Sequence, residues 1–231
     1  MTTFPESSAG PKASADPKAS AAPARRHYGG KAAEDRSDER RQKLLAAGLQ
    51  LFGTQGYAAT SVKALCTEAG LTERYFYESF RNREDIFMVV AGRSATGLAR
   101  QLAPLMTGGQ GSVEEQVRHG LTLIFQWFRD DPRRARVQLI EPLTIGPQMT
   151  ELYRQVTGGF ILMLRDMALR WFGPAFEARK LDARLLSTAM VGAVVEMTKA
   201  WVLEGCPQPV EEMVRNAMAI YTAFAEQLSS R

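Results

Sequence analysis

From Ser37 onward the apolar residues recur at helical spacing, and nowhere do they alternate convincingly over a strand bounded by hairpin turns. Leu44, Leu45, Gly48, Leu49 and Phe52 fall at i, i+1, i+4, i+5 and i+8, which places them on one helix face. Gly56 closes that helix, and Thr60 or Ser61 can cap the next. A short helix with Val62, Leu65 and Ala69 turned inward runs to Gly70. Thr72 is a natural N-cap for a third helix carrying Tyr75, Phe76 and Phe80, and Asn82 with Asp85 caps a fourth that begins near Ile86. Gly108, Gly109 and Gly111 mark a break, after which Ser112 and Glu115 have the capping-box spacing. Val117, Leu121, Ile124 and Phe128 form the next stripe, and residues 148–171 read as one long helix despite Gly158 and Gly159. Asp182 opens a helix over 183–203, and the last covers 210–228. The pattern predicts an all-α fold of about nine helices.

Composition adds limits rather than answers. The chain has 231 residues, 45% hydrophobic and 23% charged, which is ordinary for a globular protein. Residues 1–36 are rich in Ala, Ser, Pro and Lys and carry almost no large apolar side chains, so they are expected to form a disordered tail. Arg25, Arg26, His27 and Lys31 in that tail could touch phosphates as a flexible arm, although a solvated tail is the plainer reading. A net charge of +4 permits a polyanionic partner without demanding one. Cys66 and Cys206 are too few for a disulfide framework, and the uncharged stretch 185–195 ends at Glu196, short of the roughly 20 residues that cross a bilayer. No membrane association is expected, and the expected place is the cytoplasm.

The informative segment is 61–80: a short helix, a turn of about three residues containing Gly70, and a second short helix with polar and aromatic groups facing out. That is helix-turn-helix geometry, in which the second helix enters the major groove. Gly70 suits the left-handed cap that lets the chain reverse. Val62, Leu65, Ala69, Leu71 and Phe76 are expected to hold the two helices together, leaving Thr72, Glu73, Arg74, Tyr75, Tyr77 and Glu78 outward, with Lys63 available on the preceding helix. Between residues 37 and 87 the seven basic residues outnumber the six acidic ones by only one, so affinity must come from placement.

The runs Leu44-Leu45-x-x-Gly48-Leu49-x-Leu51-Phe52-x-x-x-Gly56-Tyr57-x-x-Thr60-Ser61-Val62 and Glu68-Ala69-Gly70-Leu71-Thr72, followed by Tyr77, Phe80 and Arg83-Glu84-Asp85-Ile86-Phe87, resemble the opening of TetR-family regulators. The resemblance covers about residues 38–98. It implies that Thr72 and the amides at the start of the recognition helix meet a phosphate, that Tyr77 reaches the backbone through its hydroxyl, and that Arg83 neutralises a phosphate where the family usually has lysine. Arg74 and Tyr75 fall where family members vary and would read bases, and Glu73 could accept from a cytosine amino group. Gly48 stands where the family commonly has alanine. The implied organisation is a three-helix DNA-binding domain over 37–98 and a helical effector-binding and dimerisation domain over 99–231.

In the second half, the helix 183–203 is apolar nearly all round, more than one intramolecular face requires. With 210–228 it is expected to form the interface of a homodimer that reads a palindromic double-stranded operator. Phe125, Phe128, Phe160, Met163 and Met167 suit the wall of an apolar effector pocket, although aromatic and Met residues at this spacing are usually core. Glu141 and Glu196, set among apolar neighbours, are candidates for orienting a ligand's polar end, although a salt-bridged or snorkelling glutamate is the plainer reading for each. Enzymatic readings are poor: neither His27 nor His119 has a partner at triad or metal-ligand spacing, and Gly108-Gly-Gln-Gly111 lacks the residues of a phosphate loop. No cofactor, metal site or catalytic residue is expected. Cys66 reads as core, and Cys206 is the better redox candidate. The leading expectation is a repressor released by a small apolar or amphipathic molecule; the rival keeps the helices but binds a small molecule or a protein partner without a DNA role.

Overall fold

A computed structural model describes residues 27–106 and 111–229. The chain parts after Ser37 into two units. In the first, the described residues 27–37 are helical, so α1 starts at His27 and runs to Thr54. Residues 27–36 of the expected tail are helical. Helix formers such as Lys31-Ala-Ala-Glu34 continue the backbone ladder where sparse apolar content suggested disorder. Arg25, Arg26 and the rest of 1–26 lie outside the described residues.

The second unit, from Asp38 on, contains the remaining helices: α2 (Val62–Ala69), α3 (Glu73–Ser79), α4 (Arg83–Met106), α5 (Val113–Asp130), α6 (Arg133–Ala135), α7 (Pro142–Ile145), α8 (Pro147–Ala178), α9 (Ala183–Leu203) and α10 (Val210–Ser229). Arg136–Ile140, between α6 and α7, forms a single π turn. The described residues are all-α, with ten α-helices against the nine expected. The excess arises between Pro132 and Pro147, where three short pieces follow one another too closely for any periodicity to show.

Local signals set most helix ends. Ser61 caps α2 by accepting from the Ala64 N–H at 3.1 Å. Gly70 ends it at φ +65°, and the Leu71 N–H bonds back to the Cys66 carbonyl at 2.9 Å. Asn82 Oδ1 accepts from the Asp85 N–H at 2.8 Å. The Ser112–Glu115 capping box is complete, and Asp182 accepts from the N–H groups of Arg184 and Leu185. The long helix expected over 148–171 extends to Ala178 and kinks at Phe172 (φ −130°), two residues before Pro174. Proline clashes with the preceding turn and cannot donate to it, which accounts for the break.

Two clusters position the functional parts. Leu44, Phe52, Leu65, Phe76, Phe80, Ile86 and Phe87 form the core that binds α1–α3 to the start of α4. Tyr57 adds to it, stacking on Phe52 and meeting Phe87 edge-on at ring distances of 5.8 and 5.5 Å. Gly48 sits in this core, and a Cβ there would lie 3.0 Å from Val90 Cγ2, so its small size lets α4 approach α1 closely. Farther along, α5 packs on α10 and α8 on α9. Residue 98, the expected domain boundary, lies within α4, which runs unbroken from the core of α1–α3 into the bundle. Helix α9 is long and apolar enough to cross a bilayer, with mean hydropathy 1.3 over its most apolar window, a property the break at Glu196 concealed in the sequence. It packs against α8, α5 and α10 and carries Arg184, Glu196 and Lys199.

Candidate DNA-contacting surface and effector cavity

Helix α3 buries Phe76 and presents Glu73, Arg74, Tyr77 and Glu78 outward. Thr72 is its N-cap in extended conformation, but the hydroxyl makes no capping bond, which leaves it and the first amides of the helix available to a phosphate oxygen. Tyr77 is 58% exposed, its ring edge-on against Phe76. Arg74 Nε meets Glu78 Oε1 at 3.2 Å in a pair so exposed that it contributes about 0–1 kcal/mol, so DNA can take Arg74 over at little cost. Lys63 is exposed on α2.

Two of the expected DNA contacts are engaged differently. Tyr75 is half-buried with the Arg40 guanidinium 4.5 Å above its ring, so α1 covers one of its faces. Arg83 lies over the Tyr57 ring at 4.1 Å and donates from Nη1 to the Thr60 carbonyl at 2.7 Å. Its guanidinium thus fastens α4 to the segment before α2, and only its remaining N–H groups are left for a phosphate. Sequence reasoning passed over Arg40 and Arg41 except as charges. Arg40 also approaches Glu78 at 3.8 Å, and Arg41 donates to the Ser79 carbonyl at 3.0 Å while lying 4.5 Å from the Phe80 ring centre. Together they fix the outer helix against α1.

A cavity of about 150 Å³ opens between α4, α5, the π turn, α8, α9 and α10. Its wall along α5 runs from Gln116 to Phe128, on the order of 18 Å at ~1.5 Å per residue. Among the described residues that line it, none is charged. Four expected residues line it: Phe128, Phe160, Met163 and Met167. Three do not. Phe125 is wholly buried one turn away, edge-on to Trp201 at 5.9 Å. Glu196 is exposed and paired with Lys199 Nζ at 2.8 Å. Glu141 is buried but points elsewhere: Oε2 accepts the Tyr57 N–H at 2.9 Å and Oε1 accepts from Arg136 Nε at 2.9 Å. A buried carboxylate needs such partners, and it found them in the protein.

Polar groups in the wall are few and neutral. Gln138 is buried, its Oε1 accepting from Ser94 Oγ at 3.1 Å. Tyr221 is buried too. Burial first, then the charge of Glu114, pushes its hydroxyl up to about 12, so it remains a neutral O–H. Neither residue was singled out as a polar wall group from sequence, since each sits in an otherwise apolar helical stripe. Cys66 and Cys206 are both buried, and burial pushes both thiols up, which argues against the redox role considered for Cys206.

Comparison with known proteins places these parts. Residues 44–90 match the family of bacterial regulatory proteins, tetR family. The HTH-type transcriptional activator FasR of Mycolicibacterium smegmatis is 23% identical over 168 residues, spanning 71% of this chain and 73% of its own. Among solved structures, the fatty acid degradation regulator FadR of Bacillus halodurans superposes with a TM-score of 0.70 at 18% identity, over 83% of this chain and 95% of that one. FadR of Bacillus subtilis, solved in complex with stearoyl-CoA, gives 0.66 at 14% identity over 81% and 97%. The structural likenesses concern the fold.

Proposed function

We propose that this chain, whose residues 44–90 match the bacterial regulatory proteins of the tetR family, is a repressor released from a palindromic operator by a long acyl chain. The observation that carries this reading is that one folded unit holds both an exposed recognition helix and a long cavity without a charged wall residue. A carboxylate or phosphate inside such a cavity would be desolvated with no counter-charge, so a charged head group stays at the mouth and the chain fills the interior. An acyl-CoA has that form, and stearoyl-CoA is what the B. subtilis FadR structure holds. Thr72 and Tyr77 hold the backbone, Arg74 and Glu73 read base edges, and Lys63 and Arg83 add charge.

The protein acts as a homodimer in the cytoplasm. Leu185, Ala189, Gly192, Glu196 and Leu203 share one side of α9, and Leu162 and Leu169 one side of α8, with Leu185 and Leu203 each about two-thirds exposed. Only 17% of the most apolar part of α9 is buried within the chain. A second copy is the occupant that also supplies the second recognition helix, about 34 Å away, for the next major groove.

The test is selection of sites from random DNA by the full chain, followed by titration of stearoyl-CoA onto the complex. An inverted repeat should emerge, and the ligand should lower its occupancy. Failure to enrich any DNA at low salt would end the regulator reading. A second direction, activation, is favoured by the FasR relative being an activator; a rise in operator affinity on adding the ligand would establish it over repression.

A further inference from the structure

The piece of chain between the cavity and the core of α1–α3 departs from α geometry. Arg136–Ile140 winds as a π turn closed by the Glu141 N–H on the Arg136 carbonyl at 2.9 Å. Such a turn carries one residue more than α geometry needs and is found mostly where the extra residue has a task. Here it connects two sites. Gln138 and Leu139 form part of the cavity wall, with Gln138 held from α4 by Ser94. Arg136 and Glu141 grip the end of α1 and the turn after it. Arg136 Nη1 donates to the Thr54 carbonyl at 3.1 Å, and its Nε to Glu141 Oε1, while Glu141 Oε2 takes the Tyr57 N–H. Gly56 lies within the grip: its φ is +85°, and a Cβ there would stand 2.8 Å from Glu141 Oε1, so a side chain is excluded twice.

We propose that this clamp of Arg136 and Glu141 on Thr54 and Tyr57 transmits the state of the cavity to the recognition helix, a positioning role that rests on the effector reading above. A chain pressing on Leu139 and Gln138 displaces the π turn. Rewinding the turn toward α geometry rotates the residues just after it by about 100°, which carries the Glu141 carboxylate off the Tyr57 N–H, with Gly146 absorbing the change before α8. Tyr57 is the base on which Arg83 stacks and part of the core against Phe52 and Phe87. Its release therefore frees α1 and α4 to shift on either side of α2 and α3. By linkage, operator binding that favours the closed clamp disfavours ligand entry to the same degree.

The deciding measurement needs no ligand. In the full chain, amide hydrogen exchange at Tyr57 is compared among wild type, Leu139→Trp, which pushes bulk into the cavity, and Ser94→Ala, which unties Gln138 gently enough to keep the fold. Exchange at Tyr57 and through α2–α3 should quicken at least tenfold in both variants, with α9 amides unchanged. Unaltered protection of Tyr57 in Ser94→Ala and in a folded Leu139→Trp overturns the proposal. Stearoyl-CoA titrated onto wild type is the separate arm: if it does not bind, the acyl-ligand reading falls, and the exchange data still decide the clamp. If it binds, Glu141→Gln, which keeps an acceptor but loses the ion pair, should bind it equally yet respond at the operator at least fivefold less. An equal operator response in Glu141→Gln overturns the clamp.

Discussion

Side chains on α3 and at the start of α4 divide by what already holds them. Arg74 is tied to Glu78 across an exposed pair, so its guanidinium can leave for a guanine edge. Arg74→Ala should therefore reduce discrimination at one base pair of the selected site by about 1–3 kcal/mol, roughly 5- to 150-fold in competition binding, with stability nearly unchanged. Arg83 is the opposite case. Stacked on Tyr57 and bonded to the Thr60 carbonyl, it joins segments 23 residues apart. Lysine has the charge but not the planar fork, so Arg83→Lys should lower unfolding free energy by about 1–2 kcal/mol in urea titration even though phosphate neutralisation is preserved. The exposed readers were legible in the sequence because helical spacing alone turns them outward. The tasks of Arg83 and Glu141 were not, because their partners lie far along the chain: Tyr57 is 84 residues from Glu141, and no local pattern announces that contact.

At the scale of elements the same distinction holds between ends and joints. Ser61, Gly70, Ser112 with Glu115, and Asp182 act within a turn of themselves, and the spacing that marks them in the chain is the spacing of their hydrogen bonds. The joint from α5 to α6 depends on burial instead. Asp131 accepts from Arg133 Nε at 2.7 Å and Nη2 at 2.9 Å and lies within 3.8 Å of Arg134. Burial by itself would raise its carboxyl, but the Arg133 hydrogen bonds and the two cations outweigh it and hold it below the ordinary carboxylate value. The unfolded chain therefore binds the proton more readily. The stabilisation is complete above the unfolded value, near pH 3.9, and is lost as pH falls through the lower folded value. Asp131→Asn should be less stable than wild type at pH 7 and should show a shallower loss of stability below about pH 4, as read from urea midpoints across that range. Equal acid slopes would show that Asp131 does not set this limb.

At the scale of the molecule, burial on one face of a helix leaves the other face to be explained. Phe125 and Phe128 are three residues apart on one α5 stripe, yet one faces Trp201 and the other the cavity. Periodicity could propose both as wall residues, and only the packing of α8, α9 and α10 separates them. The same packing hides the Val210, Met213, Val214, Ala217 and Tyr221 stripe of α10 inside the chain, so that helix offers a partner little beyond Ile220 and the small residues beside it. The exposed apolar side of α9 then carries most of the proposed contact with a second copy. Its central residues are Ala189 and Gly192, where two helices can approach closely and a long charged side chain cannot fit. Ala189→Arg alters no contact of the buried core and should leave helicity and thermal unfolding of the single chain intact. It should sediment as a monomer, lose binding to a full inverted repeat, and retain only weak, salt-sensitive binding comparable to that on a half-site. A dimer that persists unchanged in this variant would move the contact off α9 and require the two recognition helices to be paired through another surface.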